Sequence, residues 1–262
     1  CATVQIERKG GFMPRDIFET ILQRYVLPYK NHQSRAYPQR NNACPPTVIP
    51  HKDGESTLHK EYDSYLKAVS DADPSLKIDI YTHGLTLPKK EGFLEFLGSL
   101  PSRLRMLLSF HFFNGDGSAN DYTTTDALLR RTINEGRWPH NVELILASHL
   151  VRPMTAERLN AWKETWRPYI DRGQVTVHAN VAINPWTGRI DEPGTVEFHG
   201  CPYGDFGHMF FGVTGNIIAC CLDLEEEIVF GNVMKDDPEV IVEMLEMFYA
   251  DQRAKKVHMS VC

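Results

Sequence analysis

The segment Lys77-Ile78-Asp79-Ile80-Tyr81-Thr82-His83-Gly84 decides the fold. Ile78 and Ile80 alternate with polar neighbours, the period of a strand, so Lys77–Tyr81 reads as one. Helical spacing lies on both sides of it, over Leu58–Val69 before and Glu91–Leu100 after. Outward from this unit the alternation repeats. Strands are expected at Thr47–Ile49, Arg105–Phe113, Val142–Ser148 and Val175–Ile183. Helices are expected at Asp16–Tyr25, ended by Pro28, and at Thr124–Asn134 and Thr155–Ile170. Strands alternating with long helices imply βαβ units and a parallel sheet.

The chain changes character after Ile183. Asn184–Gly200 is rich in Pro, Gly and polar residues and reads as a linker. Met209–Val213 and Asn216–Cys221 flank Thr214-Gly215 and read as a β-hairpin, and Pro238–Ala250 as a helix. The expected class is α/β, with a main domain over residues 1–184 and a small α+β C-terminal domain over residues 185–262.

Composition narrows the function. Of 262 residues, 42% are hydrophobic and 24% charged, which argues against global disorder. No run approaches the ~18 apolar residues of a membrane helix. A net charge of −6 argues against general nucleic-acid binding. The N-terminus has no apolar signal region, and the protein is read as cytoplasmic. Six cysteines, two of them the adjacent Cys220 and Cys221, suit metal or redox use better than a disulfide scaffold. The chain begins at Cys1, without Met, and ends at Cys262, and it reads as part of a longer protein. Tyr29–Pro46 is long for a connector and reads as a functional loop, with Cys44 a bystander thiol or a residue over the site.

Chemistry-bearing residues gather at expected strand ends. His51-Lys52-Asp53-Gly54-Glu55-Ser56 follows the first strand. Gly54 would let backbone approach a ligand, and the Glu55 carboxylate could accept from an ammonium group. The same stretch also reads as a plain turn with Ser56 or Thr57 as helix N-cap. Thr82-His83-Gly84 ends the next strand, and Ser109-Phe110-His111 the one after. Parallel α/β barrels place function at these ends. Cys201, Gly215 and Cys220 bracket the hairpin, with Cys262 further on, a pattern suited to Zn or Fe–S ligation.

In order and spacing these motifs resemble the radical S-adenosylmethionine enzymes that carry a C-terminal SPASM or Twitch domain. Cys1, followed by Gly11-Phe12-Met13-Pro14 and a helix, resembles the third cysteine of the family's Cys-x3-Cys-x2-Cys cluster loop. The first strand and the first two cysteines would then precede the chain. Asp53-Gly54-Glu55-Ser56 resembles the Gly-Gly-Glu-Pro motif that binds the cofactor's amino group. Gly54 and Glu55 match it, and Asp53 and Ser56 depart from it. Thr82-His83-Gly84 resembles the Thr-Asn-Gly end of the third strand, with His for Asn, and Ser109 resembles a serine that ends the fourth. Cys201, Gly215 and Cys220 fit the opening of the auxiliary-cluster domain, and Asp223, Gly231-Asn232 and Cys262 resemble residues that follow.

The resemblance implies a partial (β/α)6 barrel and an auxiliary domain. It implies a 4Fe-4S cluster that binds S-adenosylmethionine, a second 4Fe-4S cluster, and one-electron cleavage to a 5′-deoxyadenosyl radical that abstracts hydrogen. The implied cofactor-binding residues are Gly54, Glu55, Ser56, Thr82, His83 and Ser109, with Arg152 placed to pair with the cofactor's carboxylate or simply to lie at the surface. The implied metal ligands are Cys1, Cys201, Cys220 and Cys262. Cys221 is either an alternative ligand or a small buried thiol; adjacent strand residues face opposite sides, so only one of the pair need serve. Substrates would be peptides or small molecules, and flavodoxin or ferredoxin would supply electrons. The auxiliary cluster would accept an electron or hold substrate. The alternatives are a Zn-dependent hydrolase using His83, His111, His149 and His178, and a catalytically inactive binding module of the same fold.

Overall fold

The computed structural model describes residues 11–31, 46–50, 55–110, 120–149, 156–181, 208–221, 223 and 225–254. They fall into two compact units. One spans Thr47–Ile183, and the other combines Ala2–Pro46 with Asn184–Cys262.

The first unit is a parallel sheet. Strands β1 (Thr47–Val48), β2 (Lys77–Thr82), β3 (Leu104–Phe110), β4 (Val142–His149) and β5 (Thr176–Val181) lie side by side in chain order. Between them run α2 (Tyr62–Ala72), α3 (Phe93–Ser99), α4 (Thr123–Asn134) and α5 (Ala156–Ile170), and α1 (from Arg15) precedes them in the chain. The register aligns Ile80 with Met106 and Leu144, and Thr82 with Leu108 and Leu146. All of these are at most 3% exposed, so this face is sealed. Rings from the helical layer close it: Phe110 meets Tyr122 at 4.6 Å and Trp162 of α5 at 5.2 Å between centroids. In α2 the buried residues Tyr62, Tyr65, Leu66 and Val69 repeat at three and four, the stripe a helix needs to dock.

The other face of the sheet is polar at its N-terminal edge. Asp79 is 1% exposed and ion-pairs with Arg105, its register partner on β3. Burial raises the Asp79 carboxyl above its ordinary value, and the Arg105 hydrogen bond opposes that shift. At the same edge the Asn141 amide donates to the carbonyls of Leu97 (3.0 Å), Leu100 (2.8 Å) and Ser102 (3.2 Å), tying the entry of β4 to the turn before β3.

The second unit holds the antiparallel strands β6 (Phe210–Phe211), β7 (Asn216–Ile218) and β8 (Val229–Asn232), with the long helix α6 (Pro238–Arg253). Asp237 caps α6 by accepting from the Glu239 amide at 2.9 Å, with Pro238 in the first turn. The hairpin read from the sequence is present, but a third strand, β8, completes the sheet. Gly231 on β8 has no room for a side chain, because a Cβ there would overlap Ile241 Cδ1 of α6.

Helix α1 also belongs to this unit. Its Ile21 and Tyr25 share a core with Ile217, Val233, Ile241, Leu245 and Tyr249, and the Arg24 guanidinium donates to the carbonyls of Val233 (2.6 Å) and Asp236 (3.0 Å). It therefore packs with the C-terminal unit although it lies in the stretch 1–184 read as one domain. It also runs past Pro28. Arg15–Ile21 is α-helical, Leu22–Val26 a π turn and Leu27–Tyr29 α-helical again. The wider π turn relieves the clash between a proline ring and the carbonyl four residues back. Likewise α2 starts later than its apolar pattern, because a 3-10 turn at Ser56–Leu58 comes first. No helix among the described residues is long and apolar enough to cross a membrane.

Replacing Gly231 by Val should cost about 1–3 kcal/mol by overpacking against Ile241. Hydrogen exchange of the α6 amides under urea would show it as a lower midpoint for this unit. An unchanged midpoint would contradict the close approach.

Candidate functional site at the strand ends

Glu55 begins the site. It sits in extended backbone as the N-cap of the Ser56–Leu58 turn and accepts from the Thr57 amide at 3.1 Å. The sequence assigned the capping role to Ser56 or Thr57. Ser56 is instead turned to the sheet, where its hydroxyl donates to the Tyr81 carbonyl at 2.9 Å.

The Glu55 side chain is 6% exposed and reaches across to the end of β2. Oε1 accepts from the hydroxyls of Thr57 and Thr82, the latter at 2.6 Å. Oε2 accepts from the His83 amide at 2.8 Å, and His83 Nε2 lies 3.2 Å from it. The hydroxyls of Thr57 and Thr86 also bond each other. His83 Nδ1 accepts from the Leu85 amide at 3.1 Å, so the proton of the neutral ring belongs on Nε2, facing Glu55. The turn continues with the Gly84 amide donating to Thr82 Oγ1 at 3.0 Å and Thr125 Oγ1 donating to the Gly84 carbonyl at 3.0 Å. Gly84 has φ +80°, and a Cβ there would stand 2.6 Å from Leu108 Cδ2. Both the backbone conformation and the packing demand glycine.

The structure thus brings together Glu55, Ser56, Thr82 and His83 from two segments far apart in sequence. Ser109 lies on the neighbouring strand β3, in register with Ala147, on the face that also carries Tyr81 and Leu107. Gly54, Arg152, Cys1, Cys201 and Cys262 lie outside the described residues, as do Cys44 and His111. Thr57, Thr86 and Thr125 were missed. The only sequence signal for them is hydroxyl residues next to two turns, which ordinary capping explains as well.

In the second unit Cys220 is 1% exposed and packs with Ala219 among Cys221, Ile228, Phe230 and Phe248. Cys221 is half-buried. Strand β7 ends at Ile218, so strand alternation is not what separates the two cysteines; a turn does. Asp223, 1% exposed, closes that turn by accepting from the amides of Glu227 and Ile228, each at 2.9 Å. The Asn232 amide group donates to the Thr214 carbonyl at 3.0 Å and to Asn216 Oδ1 at 2.9 Å. Asp223 and Asn232 therefore serve as braces of the small sheet. Among the described residues no three His, Cys, Asp or Glu side chains converge as a metal set. His178 is exposed on β5, and His83 is turned to Glu55.

No protein-family model matches the chain, and no curated protein matches it. Among the solved structures that match in fold are two of one protein. The crystal structure of BtrN in complex with AdoMet and 2-DOIA aligns with a TM-score of 0.60 and 15% identity, over 97% of this chain and 80% of that one. That of BtrN in an open conformation aligns with a TM-score of 0.50 and 14% identity, over 98% and 86%. At such identities the likeness is one of fold. It agrees with the α/β class and the parallel sheet expected from the sequence.

Replacing Gly84 by Ala should lower stability by about 1–3 kcal/mol, from the positive φ and the contact with Leu108 together. Chemical denaturation followed through Trp162 and Trp166 would report it, and an unchanged midpoint would contradict the geometry.

Proposed function

We propose that the chain is a radical S-adenosylmethionine enzyme with an auxiliary iron-sulfur cluster in its C-terminal unit. One observation carries the reading. The segment at Glu55-Ser56 and the turn at Thr82-His83 converge at the C-terminal ends of adjacent parallel strands, in a fold shared with a protein solved with AdoMet. Such strand ends are where parallel α/β barrels bind and react.

The residues suit the cofactor. The convergence is dense in hydroxyls, amides and a carboxylate, the groups that hold an amino-acid moiety. In this reading Gly54, Glu55, Ser56, Thr82 and His83 form the seat of that moiety, Ser109 lies beside it, and Arg152 pairs with its carboxylate. Cys1 belongs to the first cluster. Cys201, Cys220 and Cys262 belong to the auxiliary one. The apolar, water-excluding packing around Cys220 suits a thiolate ligand, since burial and dryness help set a cluster's potential. When bound, the first cluster supplies the electron that cleaves S-adenosylmethionine and so initiates hydrogen abstraction from a peptide or small-molecule substrate. The residues of the chain orient the cofactor and keep water out. A flavodoxin or ferredoxin serves as the electron donor.

The test is anaerobic reconstitution of the protein with iron and sulfide, followed by dithionite and S-adenosylmethionine. Release of 5′-deoxyadenosine and methionine is expected. A protein that takes up zinc but no iron, and leaves the cofactor intact, would overturn the reading. Gly54→Val should weaken cofactor binding by steric bulk, and binding at the parent level would count against the motif. Iron counting on two further variants checks the auxiliary cluster: Cys220→Ala should lose iron and Cys221→Ala should keep it. The reverse result would contradict the assignment.

A further inference from the structure

The Glu55 carboxylate carries more bonds than a ligand-binding acid has to spare. A carboxylate offers about four lone-pair directions. Here the Thr57 amide and the Thr57 and Thr82 hydroxyls all meet Oε1, and the His83 amide meets Oε2. His83 Nε2 stands 3.2 Å from Oε2, and the Glu55 side chain is 6% exposed. A cofactor ammonium would have to displace a donor at Oε1 or the His83 ring beside Oε2.

The same bonds control the turn after β2. Its three successive amides all donate to side chains. His83 N–H goes to Glu55, Gly84 N–H to Thr82 Oγ1 and Leu85 N–H to His83 Nδ1. The acceptors are themselves linked, because Thr82 donates to Glu55 and His83 Nε2 faces it. The backbone course of Thr82–Leu85 therefore depends on one carboxylate and one imidazole. His83 Nδ1 accepts from the Leu85 amide, and its Nε2 lies 3.2 Å from Glu55 Oε2. An Asn at this position would keep an acceptor for the Leu85 amide.

We infer that Glu55 and His83 are positioning residues. Together they set the backbone of the strand-end turn that receives S-adenosylmethionine, and the Glu55 carboxylate does not itself take the cofactor's amino group. The inference rests on the function proposed above.

Two measurements test it. The first uses metal-free protein and site-resolved amide exchange. Glu55→Gln should speed exchange at His83, Gly84 and Leu85 together, by roughly tenfold or more, because a charge-assisted acceptor at the root of the network is lost. Acceleration at His83 alone would overturn the coupling. The second uses reconstituted protein and equilibrium binding of S-adenosylmethionine and of its desamino analogue, which keeps the sulfonium and the carboxylate. Glu55→Gln and His83→Ala should each weaken both compounds by the same factor, and His83→Asn, which keeps an acceptor for the Leu85 amide, should bind both more tightly than His83→Ala in equal proportion. Loss confined to S-adenosylmethionine in Glu55→Gln would show direct contact with the amino group and overturn the inference, as would unchanged binding in both Glu55→Gln and His83→Ala. A parent protein that binds neither compound overturns the proposed function and this assignment with it; amino-selective loss overturns this assignment alone.

Discussion

A buried carboxylate joins the two segments on which the site depends. Moving an unpaired carboxylate out of water costs several kcal/mol, so Glu55 can be buried only if its oxygens are met by donors. Those donors come from its own turn and from the end of β2. The requirement works in both directions. The strand-end turn exists in its observed course because the carboxylate is there, and the carboxylate is tolerated because the turn offers it amides and hydroxyls. Thr86 and Thr125 extend the same chain of bonds toward the turn before α3 and toward α4.

The opposite edge of the sheet shows the same logic without the function. Asp79 and Arg105 satisfy each other across adjacent strands, and Asn141 gathers three carbonyls where β4 begins. Such pairs at the N-terminal ends of parallel strands hold the sheet together, while the C-terminal ends are left to vary with ligand chemistry. The sealed face of Ile80, Met106, Leu108, Leu144 and Leu146 supplies the apolar burial that drives assembly, at about 25 cal/mol per Å² removed from water.

In the second unit α1 completes the core of the small sheet. Ile21 and Tyr25 fill space between the three-stranded sheet and α6, and Arg24 satisfies two carbonyls near the end of β8. A three-stranded sheet with one helix buries little apolar area alone, so a second helix adds substantially to it. Cys220 then sits against apolar neighbours at the edge of that core.

The sequence by itself determined the periodic part of the molecule. Alternation at Ile78 and Ile80, and the spacing of Leu66 and Val69, are local signals, because strand and helix periods follow from backbone geometry alone. From them the parallel order, the hairpin and the gathering of Glu55, Thr82 and His83 at strand ends were legible. Tertiary structure decided what local periodicity cannot encode. That α1 packs with the C-terminal unit depends on which core its stripe meets, and an amphipathic stripe does not name its partner. That Pro28 continues a helix depends on the π turn before it. The third strand β8 is a four-residue segment, Val229–Asn232, containing a glycine, too weak a signal to read, and only pairing with β7 makes it a strand. The bonds between Glu55 and the turn after β2 join residues 27 and 28 positions apart in the chain, and such contacts arise only when parallel pairing brings two strand ends side by side.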